Sequence, residues 1–202
     1  RLITKKTKGI IPVHLFGLAA DMKEIKYIAK KYGLWILEDA ACGFGSLYKN
    51  KHVGTIGDIG VFSLHPRKSI TTGEGGMITT NYKKFDKSLR ILRDHGANMS
   101  DFKRHHGNKP YELCDHTLPG LNQRMTDIQG ILGLGQMKRA QKIVNERRKI
   151  ANEYNIAFKN ITELKTPFEA KGFIHGYQSY PCLIKIDKLS ENEIKKNKVK
   201  RN

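Results

Sequence analysis

Two side chains in this sequence have the type and the setting for covalent chemistry, Lys68 and Asp39. Lys68 closes the run Ile59-Gly60-Val61-Phe62-Ser63-Leu64-His65-Pro66-Arg67-Lys68, which reads as a short apolar strand ending in a polar turn. The glycine-dense loop Gly73-Glu74-Gly75-Gly76 and a second strand, Met77 to Thr80, follow it. A lysine among small residues beside strand ends can become a nucleophilic amine that forms an imine with a carbonyl. Taken alone, Lys68 reads first as one more solvated cation in a lysine-rich chain. Asp39 changes that reading, because it ends the strand-like run Leu34-Trp35-Ile36-Leu37-Glu38-Asp39 at the edge where open α/β sheets bind ligands. An acid in that place can keep a pyridine nitrogen protonated and make the ring an electron sink, so amine and acid together point to pyridoxal phosphate. By itself Asp39 could equally cap a helix or a turn.

The elements that must position these groups are legible as a βαβ unit. Gly9-Ile10-Ile11-Pro12-Val13 is a continuous apolar run typical of a strand buried on both faces, with Pro12 weakening its ladder. Asp21 can cap a helix over Met22 to Tyr32, where Met22, Ile25, Ile28 and Ala29 recur at helical spacing and Gly33 ends it. The strand Leu34 to Leu37 completes the unit. Cys42 to Thr55 reads as an exposed loop or hairpin. Asn81 is placed to cap a helix of about three turns carrying Phe85, Leu89 and Leu92. From Ala97 to Arg124 the periodicity is lost, as in a loop that is functional or reaches a neighbouring subunit. Thr126 or Asp127 opens a helical stretch that could reach Asn160, with Ile128, Ile131, Leu132, Leu134, Met137, Ile143 and Val144 as its inner face. A strand is expected from Tyr180 to Ile186.

Bulk properties narrow the class. The 202 residues suffice for one good core or one and a half domains, and a composition of 39% hydrophobic and 28% charged residues is that of an ordinary soluble protein. No apolar run is long enough to span a membrane and no signal-peptide pattern opens the sequence, so a cytoplasmic protein is the expectation. Cys42, Cys114 and Cys182 are too few and too widely spaced for a disulfide framework or a zinc knuckle. The adjacent pair His105-His106 lacks the partner pattern of a metal site, and no metal is expected. The net charge of +18 is the strongest signal for nucleic acid or anionic lipid. The cations are spread along helices and a basic tail with no nucleic-acid motif among them, which reads as solvated helix faces.

Six motifs in order then carry a family resemblance: Pro12-Val13-His14-Leu15-Phe16-Gly17, Glu38-Asp39-Ala40-Ala41, Gly57-Asp58-Ile59-Gly60, Phe62-Ser63-Leu64-His65-Pro66-Arg67-Lys68, Gly73-Glu74-Gly75-Gly76 and Asn122-Gln123-Arg124-Met125-Thr126-Asp127-Ile128-Gln129. Running from about Thr7 to Tyr180, they resemble the DegT/DnrJ/EryC1/StrS family of sugar aminotransferases dependent on pyridoxal phosphate. The resemblance implies an α/β fold, the three-layer large domain of the aspartate aminotransferase group (fold type I), present in part and followed by the start of the small C-terminal domain. The corresponding boundaries are residues 1–135 for the cofactor-binding domain, 136–160 for an interdomain helix and 161–202 for the beginning of the small domain.

Roles carry over one residue at a time. Lys68 matches the imine-forming lysine, and speaks against the family's dehydratase branch, where a histidine stands in its place. Asp39 matches the acid facing the pyridine nitrogen, and Ser63 a hydroxyl that bonds the phosphate. Asn122 matches an asparagine that reaches the neighbouring subunit's cofactor phosphate, which implies a homodimer with shared sites. Arg124 could bind phosphate or form a structural ion pair. Cys42 departs from the glutamine or histidine of many relatives, so the ring oxygen of the cofactor would be held differently here. His14 and His65 are weaker candidates, for the site wall and for substrate contact respectively, a satisfied buried or loop histidine being the more common outcome for each. Members of the family carry a phosphate-binding helix start before this portion and most of a small domain after it, so the chain is expected to be a fragment with little activity alone. The implied substrates are a keto-deoxysugar linked to a nucleotide and glutamate as amino donor. A dehydratase of the same family, or a basic binding protein that keeps the fold without the chemistry, are the alternatives.

Overall fold

The computed structural model describes residues 2–98, 106–107 and 113–185. In chain order the elements are β1 (Gly9–Ile10), α1 (Met22–Tyr32), β2 (Trp35–Asp39), β3 (Leu47–Tyr48), β4 (Lys51–His52), β5 (Ile59–Ser63), β6 (Gly76–Thr79), α2 (Lys83–Leu92), α3 (Asp127–Lys138), α4 (Ala140–Ala157), β7 (Leu164–Lys165), β8 (Phe173–Ile174) and β9 (Leu183–Ile184). The α/β architecture is built on a sheet of order β1-β2-β5-β6. Its first three strands are parallel and β6 returns antiparallel beside β5.

The βαβ unit forms as its residues dictate. Asp21 accepts a hydrogen bond from the Lys23 amide at 3.1 Å to cap α1, and Gly33 takes the left-handed conformation (φ 64°) that ends it. Met22 and Ala29 on the inner stripe of α1 are buried with Ile36, Ala40, Tyr48 and Val53, and this cluster is the core behind the sheet. Pro12 does more than weaken its strand. β1 stops at Ile10, and the pairing resumes at an isolated bridge between Val13 and Asp39, with the Asp39 amide donating to the Pro12 carbonyl at 2.9 Å. Ile11 and Val13 are exposed, so this run is not buried on both faces.

The loop after β2 contains a hairpin, as one of its two readings allowed. Lys49 and Asn50 both have positive φ, the turn geometry that matches the twist of β3 and β4. β3 also pairs with β8, so residues 47–48 meet residues 173–174 edge to edge.

Three other expectations are revised. Asn81 does not cap α2; the helix starts after Tyr82, with the Thr80 hydroxyl accepting the Tyr82 amide at 3.2 Å. The long helix breaks at Arg139 into α3 and α4, and Ile128, Ile131, Leu132, Leu134 and Met137 are exposed while Val144 is buried. Gly133 explains the reversal, because its bare backbone lies against Thr72 where a Cβ would come within 3.1 Å of the threonine methyl. Gly133 is the glycine of α3 that meets the sheet loops, with nothing within 4 Å of a Cβ at Gly130 or Gly135, and the large side chains of the helix stay largely exposed. The strand expected from Tyr180 is only Leu183–Ile184, paired with β7, because Pro181 can donate no ladder bond; its last expected residue, 186, lies outside the described residues, as does His105.

Candidate active site

Strand β2 ends in two carboxylates that point to opposite faces, as successive strand residues must. Glu38 faces the core and is fully buried. Its Oε2 accepts from His14 Nε2 at 2.9 Å and from the Gly54 amide at 2.8 Å, and its Oε1 accepts from the amides of Ile56 and Gly57 at 2.7 and 2.6 Å. Burial would raise this carboxyl, but the bond from His14 and the three backbone N–H groups outweigh it and hold Glu38 below the usual carboxylate range. The Gly54–Gly57 turn is thereby wrapped round an anion, and Asp58 extends the clasp by accepting the Ile36 amide at 2.7 Å. Gly60, next in β5, has the Gly54 carbonyl only 2.0 Å from where a Cβ would stand, which makes glycine obligatory there.

Asp39 faces the other way, at the C-terminal edge of the parallel strands. One carboxylate oxygen accepts the Ala41 amide at 3.0 Å, and the structure gives the other no partner among the described residues. Register places Asp39 beside Val61, so Ser63 ends the neighbouring strand at the same edge. The Ser63 hydroxyl oxygen accepts the His65 amide at 3.3 Å, leaving its hydrogen to be donated elsewhere. Lys68 sits in the following turn, where its amide donates to the His65 carbonyl at 2.9 Å. Its Nζ reaches back over the sheet edge to within 3.3 Å of Cys42 Sγ, a weak acceptor three residues beyond Asp39. Amine, thiol, acid and hydroxyl are thus gathered at one edge, each half-buried.

The other candidates are placed as follows. Both nitrogens of His14 are spent in the core: Nδ1 accepts the Ala20 amide at 3.1 Å, which puts the hydrogen on Nε2 for Glu38. His14 is therefore a structural joint with nothing left to offer a sugar at the site wall. His65 lies on the loop side, with Nδ1 accepting the Arg67 amide at 3.2 Å and Nε2 at 3.8 Å from the Glu74 carboxylate. Arg124 is ion-paired with Asp94, the structural one of its two readings. Asn122 is exposed, and its backbone is pinned by a bridge to Asp94 beyond α2.

Two features escaped the sequence reading. Glu38 is the packing hub of the site, and period-two alternation along β2 was the available signal, since it sets Glu38 on the Ile36 face. Gln178 is the second. Its Oε1 accepts from the amide and the hydroxyl of Ser69 at 2.9 and 3.0 Å, and its Nε2 donates to the Arg67 carbonyl at 2.6 Å. Nothing local to the Gln178 segment signals a partner more than a hundred residues away.

With this geometry in hand, the sequence model of the DegT/DnrJ/EryC1/StrS aminotransferase family matches residues 1–201. The chain belongs to that family. It is 41% identical over 178 residues to a GDP-perosamine synthase of Escherichia coli O157:H7, a match covering 87% of this chain and 44% of that protein. Among solved structures, an aminotransferase from Psychrobacter cryohalolentis superposes with a TM-score of 0.84 at 32% identity, over 94% of this chain and 50% of that one. The GDP-4-keto-6-deoxy-D-mannose-3-dehydratase of E. coli, solved with bound hydrated PLP, gives 0.80 at 27% identity over 96% and 51%. The chain spans about half the length of the curated relatives it matches.

The fold is that of pyridoxal-phosphate-dependent aminotransferases, and pyridoxal phosphate is the family's cofactor. The donor set at the sheet edge fits that group. An amine is present for its aldehyde, a carboxylate oxygen with spare accepting capacity for its ring nitrogen, and a hydroxyl hydrogen for its phosphate.

Proposed function

We propose that the protein carrying this chain is a pyridoxal-phosphate-dependent transaminase that moves an amino group from glutamate onto the keto group of a deoxysugar linked to a nucleotide. The observation that carries the reading is the reach of Lys68 Nζ across the sheet edge to Cys42, three residues along the chain from Asp39. When bound, the cofactor supplies an electron sink for the pair released at the donor's α-carbon. Lys68 would hold the cofactor through Nζ and, when free, would serve as the base that moves a proton from the donor's α-carbon. Asp39 holds the proton on the pyridine nitrogen, and Ser63 donates its hydroxyl hydrogen to the phosphate. Cys42 takes the place beside the lysine that other members give to glutamine or histidine. Asn122, exposed on this chain, reaches the partner's phosphate in a homodimer with shared sites, and His65 on the adjoining loop meets the sugar.

The test uses the full-length protein. Pyridoxal phosphate should give a yellow species that borohydride fixes on residue 68, and amination of a nucleotide-linked keto-sugar should require glutamate. Lys68→Ala should abolish the fixation and lower turnover by about 10²–10⁴-fold or more. Cofactor still fixed by the Lys68→Ala protein would sink the assignment. Product formed without any amino donor would instead favour dehydration, the reaction named for one solved neighbour, although Lys68 stands where that branch carries histidine.

A further inference from the structure

We propose that Gln178 is a positioning residue for Lys68, a role that rests on reading Lys68 as the cofactor-binding amine. The primary amide of Gln178 brackets that lysine in the chain. Its nitrogen donates to the carbonyl of Arg67, the residue before, and its oxygen accepts both the amide and the hydroxyl of Ser69, the residue after. Three hydrogen bonds from one planar group fix the peptide units on both sides of Lys68, and therefore the direction in which its Cα–Cβ bond leaves the turn. Ser69 is buried, so the two bonds to it are partly sheltered from competing water, while the bond to the Arg67 carbonyl is exposed.

Gln178 is itself held against α4. Arg147 donates from Nη1 to the carbonyls of Tyr177 and Gln178 at 3.2 and 3.3 Å. The next residue, Arg148, donates from Nε to the His175 carbonyl at 3.1 Å and from Nη2 to the Gly45 carbonyl at 2.8 Å. The Gly176 amide donates to the Gly17 carbonyl at 2.8 Å. Residues 175–178 are thus riveted to α4, to the loop before β3 and to the turn after β1, and the only side chain they send to the Lys68 turn in these bonds is that of Gln178. Within the turn the Lys68 amide donates to the His65 carbonyl and the Arg67 amide to His65 Nδ1, and neither bond holds the peptide unit that follows Lys68. The distant amide supplies what the turn lacks. Freed from it, Lys68 keeps its chemistry and loses its aim, and a displacement of about 1 Å at a reacting group is enough to cost up to about a hundredfold in rate.

The experiment compares Gln178→Met, Gln178→Glu and Lys68→Ala with the wild type in the full-length protein. Methionine keeps the length and removes all three bonds. Glutamate keeps the acceptor for Ser69 and loses the donor to Arg67. Hydrogen exchange on the cofactor-free protein reads the clamp, far-UV circular dichroism and melting read the fold, and stopped-flow absorbance reads capture of pyridoxal phosphate, with borohydride fixation mapping the modified residue. Gln178→Met should lose protection at the Ser69 amide, melt within a few degrees of wild type and capture cofactor on Lys68 about ten- to a hundredfold more slowly. Gln178→Glu should fall between. In Gln178→Met, loss of Ser69 protection with capture at the wild-type rate overturns the proposal, and so does unchanged protection. If methionine at 178 prevents folding, the glutamate variant decides by cofactor capture alone: a wild-type rate with the bond to the Arg67 carbonyl gone overturns the proposal. Failure of the wild type to fix cofactor on residue 68 would instead overturn the assignment of Lys68 itself, a result no Gln178 variant can produce.

Discussion

At the scale of the residue, Glu38 and Asp39 show how neighbouring acids acquire opposite tasks from one pleat. Glu38 is surrounded by four donors and is structural, whereas Asp39 keeps accepting capacity at the ligand edge. Glu38→Gln replaces an oxygen that accepts backbone N–H groups with an amide nitrogen that cannot. We expect a loss of about 2–3 kcal/mol in urea unfolding, with the Gly54–Gly57 turn the first region to exchange hydrogen. His175 makes a second prediction. It is buried, and burial together with the Arg148 guanidinium pushes it down to about 4 from the ordinary 6.5. Between those values the unfolded chain binds the proton that the folded chain refuses, so stability is complete above about pH 6.5 and falls as pH drops towards 4. His175→Asn, which can still accept the Tyr177 amide, should flatten unfolding free energy against pH across that window; an unchanged slope would assign the acid sensitivity to other groups. Cys42, half-buried against Lys68, should be alkylated more slowly once pyridoxal phosphate is bound, as peptide mapping can measure.

At the scale of the element, the capping box of α3 gives the clearest expectation. The Thr126 hydroxyl accepts the Gln129 amide while the Gln129 side chain accepts the Thr126 amide, and the Gln129 NH₂ group also reaches the Glu74 carbonyl at 3.0 Å. Thr126→Ala should cost about 1 kcal/mol and loosen the glycine loop after Lys68, visible as faster exchange at residues 72–76. Elements governed by local rules were legible in advance. The Asp21 cap, the Gly33 stop and the run ending at Asp39 follow from cap chemistry and periodicity. Lys68 and Asp39 could be singled out as candidates because covalent chemistry demands particular residue types at strand ends, and the fold brings both to one sheet edge. What was not legible depends on long-range encounters. The inner face assigned to α3 was reversed because apolar residues surround that helix on most sides and only the packing of Gly133 on Thr72 decides which way it turns. Asn81 lost the α2 cap to a helix start one residue later, a shift that propensity cannot resolve. Gln178 was silent for the same reason, since its partners lie in another part of the chain.

At the scale of the whole molecule, a strongly basic chain leaves large apolar side chains of α3 uncovered. Ile128, Ile131 and Leu134 of α3 are each about two-thirds or more exposed, and Met77 of β6 is half exposed beside them. A cavity of about 540 Å³ lined by Phe62, Leu64, Met77, Leu134 and Met137 lies between helix and sheet. An apolar face of this extent on the 202-residue chain alone should drive self-association despite the net charge of +18. Ile131→Lys with Leu134→Lys should shift sedimentation towards the monomer and reduce binding of a hydrophobic dye without changing far-UV circular dichroism. Sedimentation that does not respond would mean that these side chains are not what brings copies together.

The pairing of β3 with β8 has a consequence for synthesis on the ribosome. Residues 47–48 wait for residues 173–174, and the lysine turn waits for residue 178, so translation must run through more than a hundred further codons before that amine is aimed. Stalled nascent chains released at about residue 160 should already hold the β1-α1-β2 core yet offer a lysine that captures aldehyde no faster than any other surface amine, and chains released beyond 185 should gain the difference.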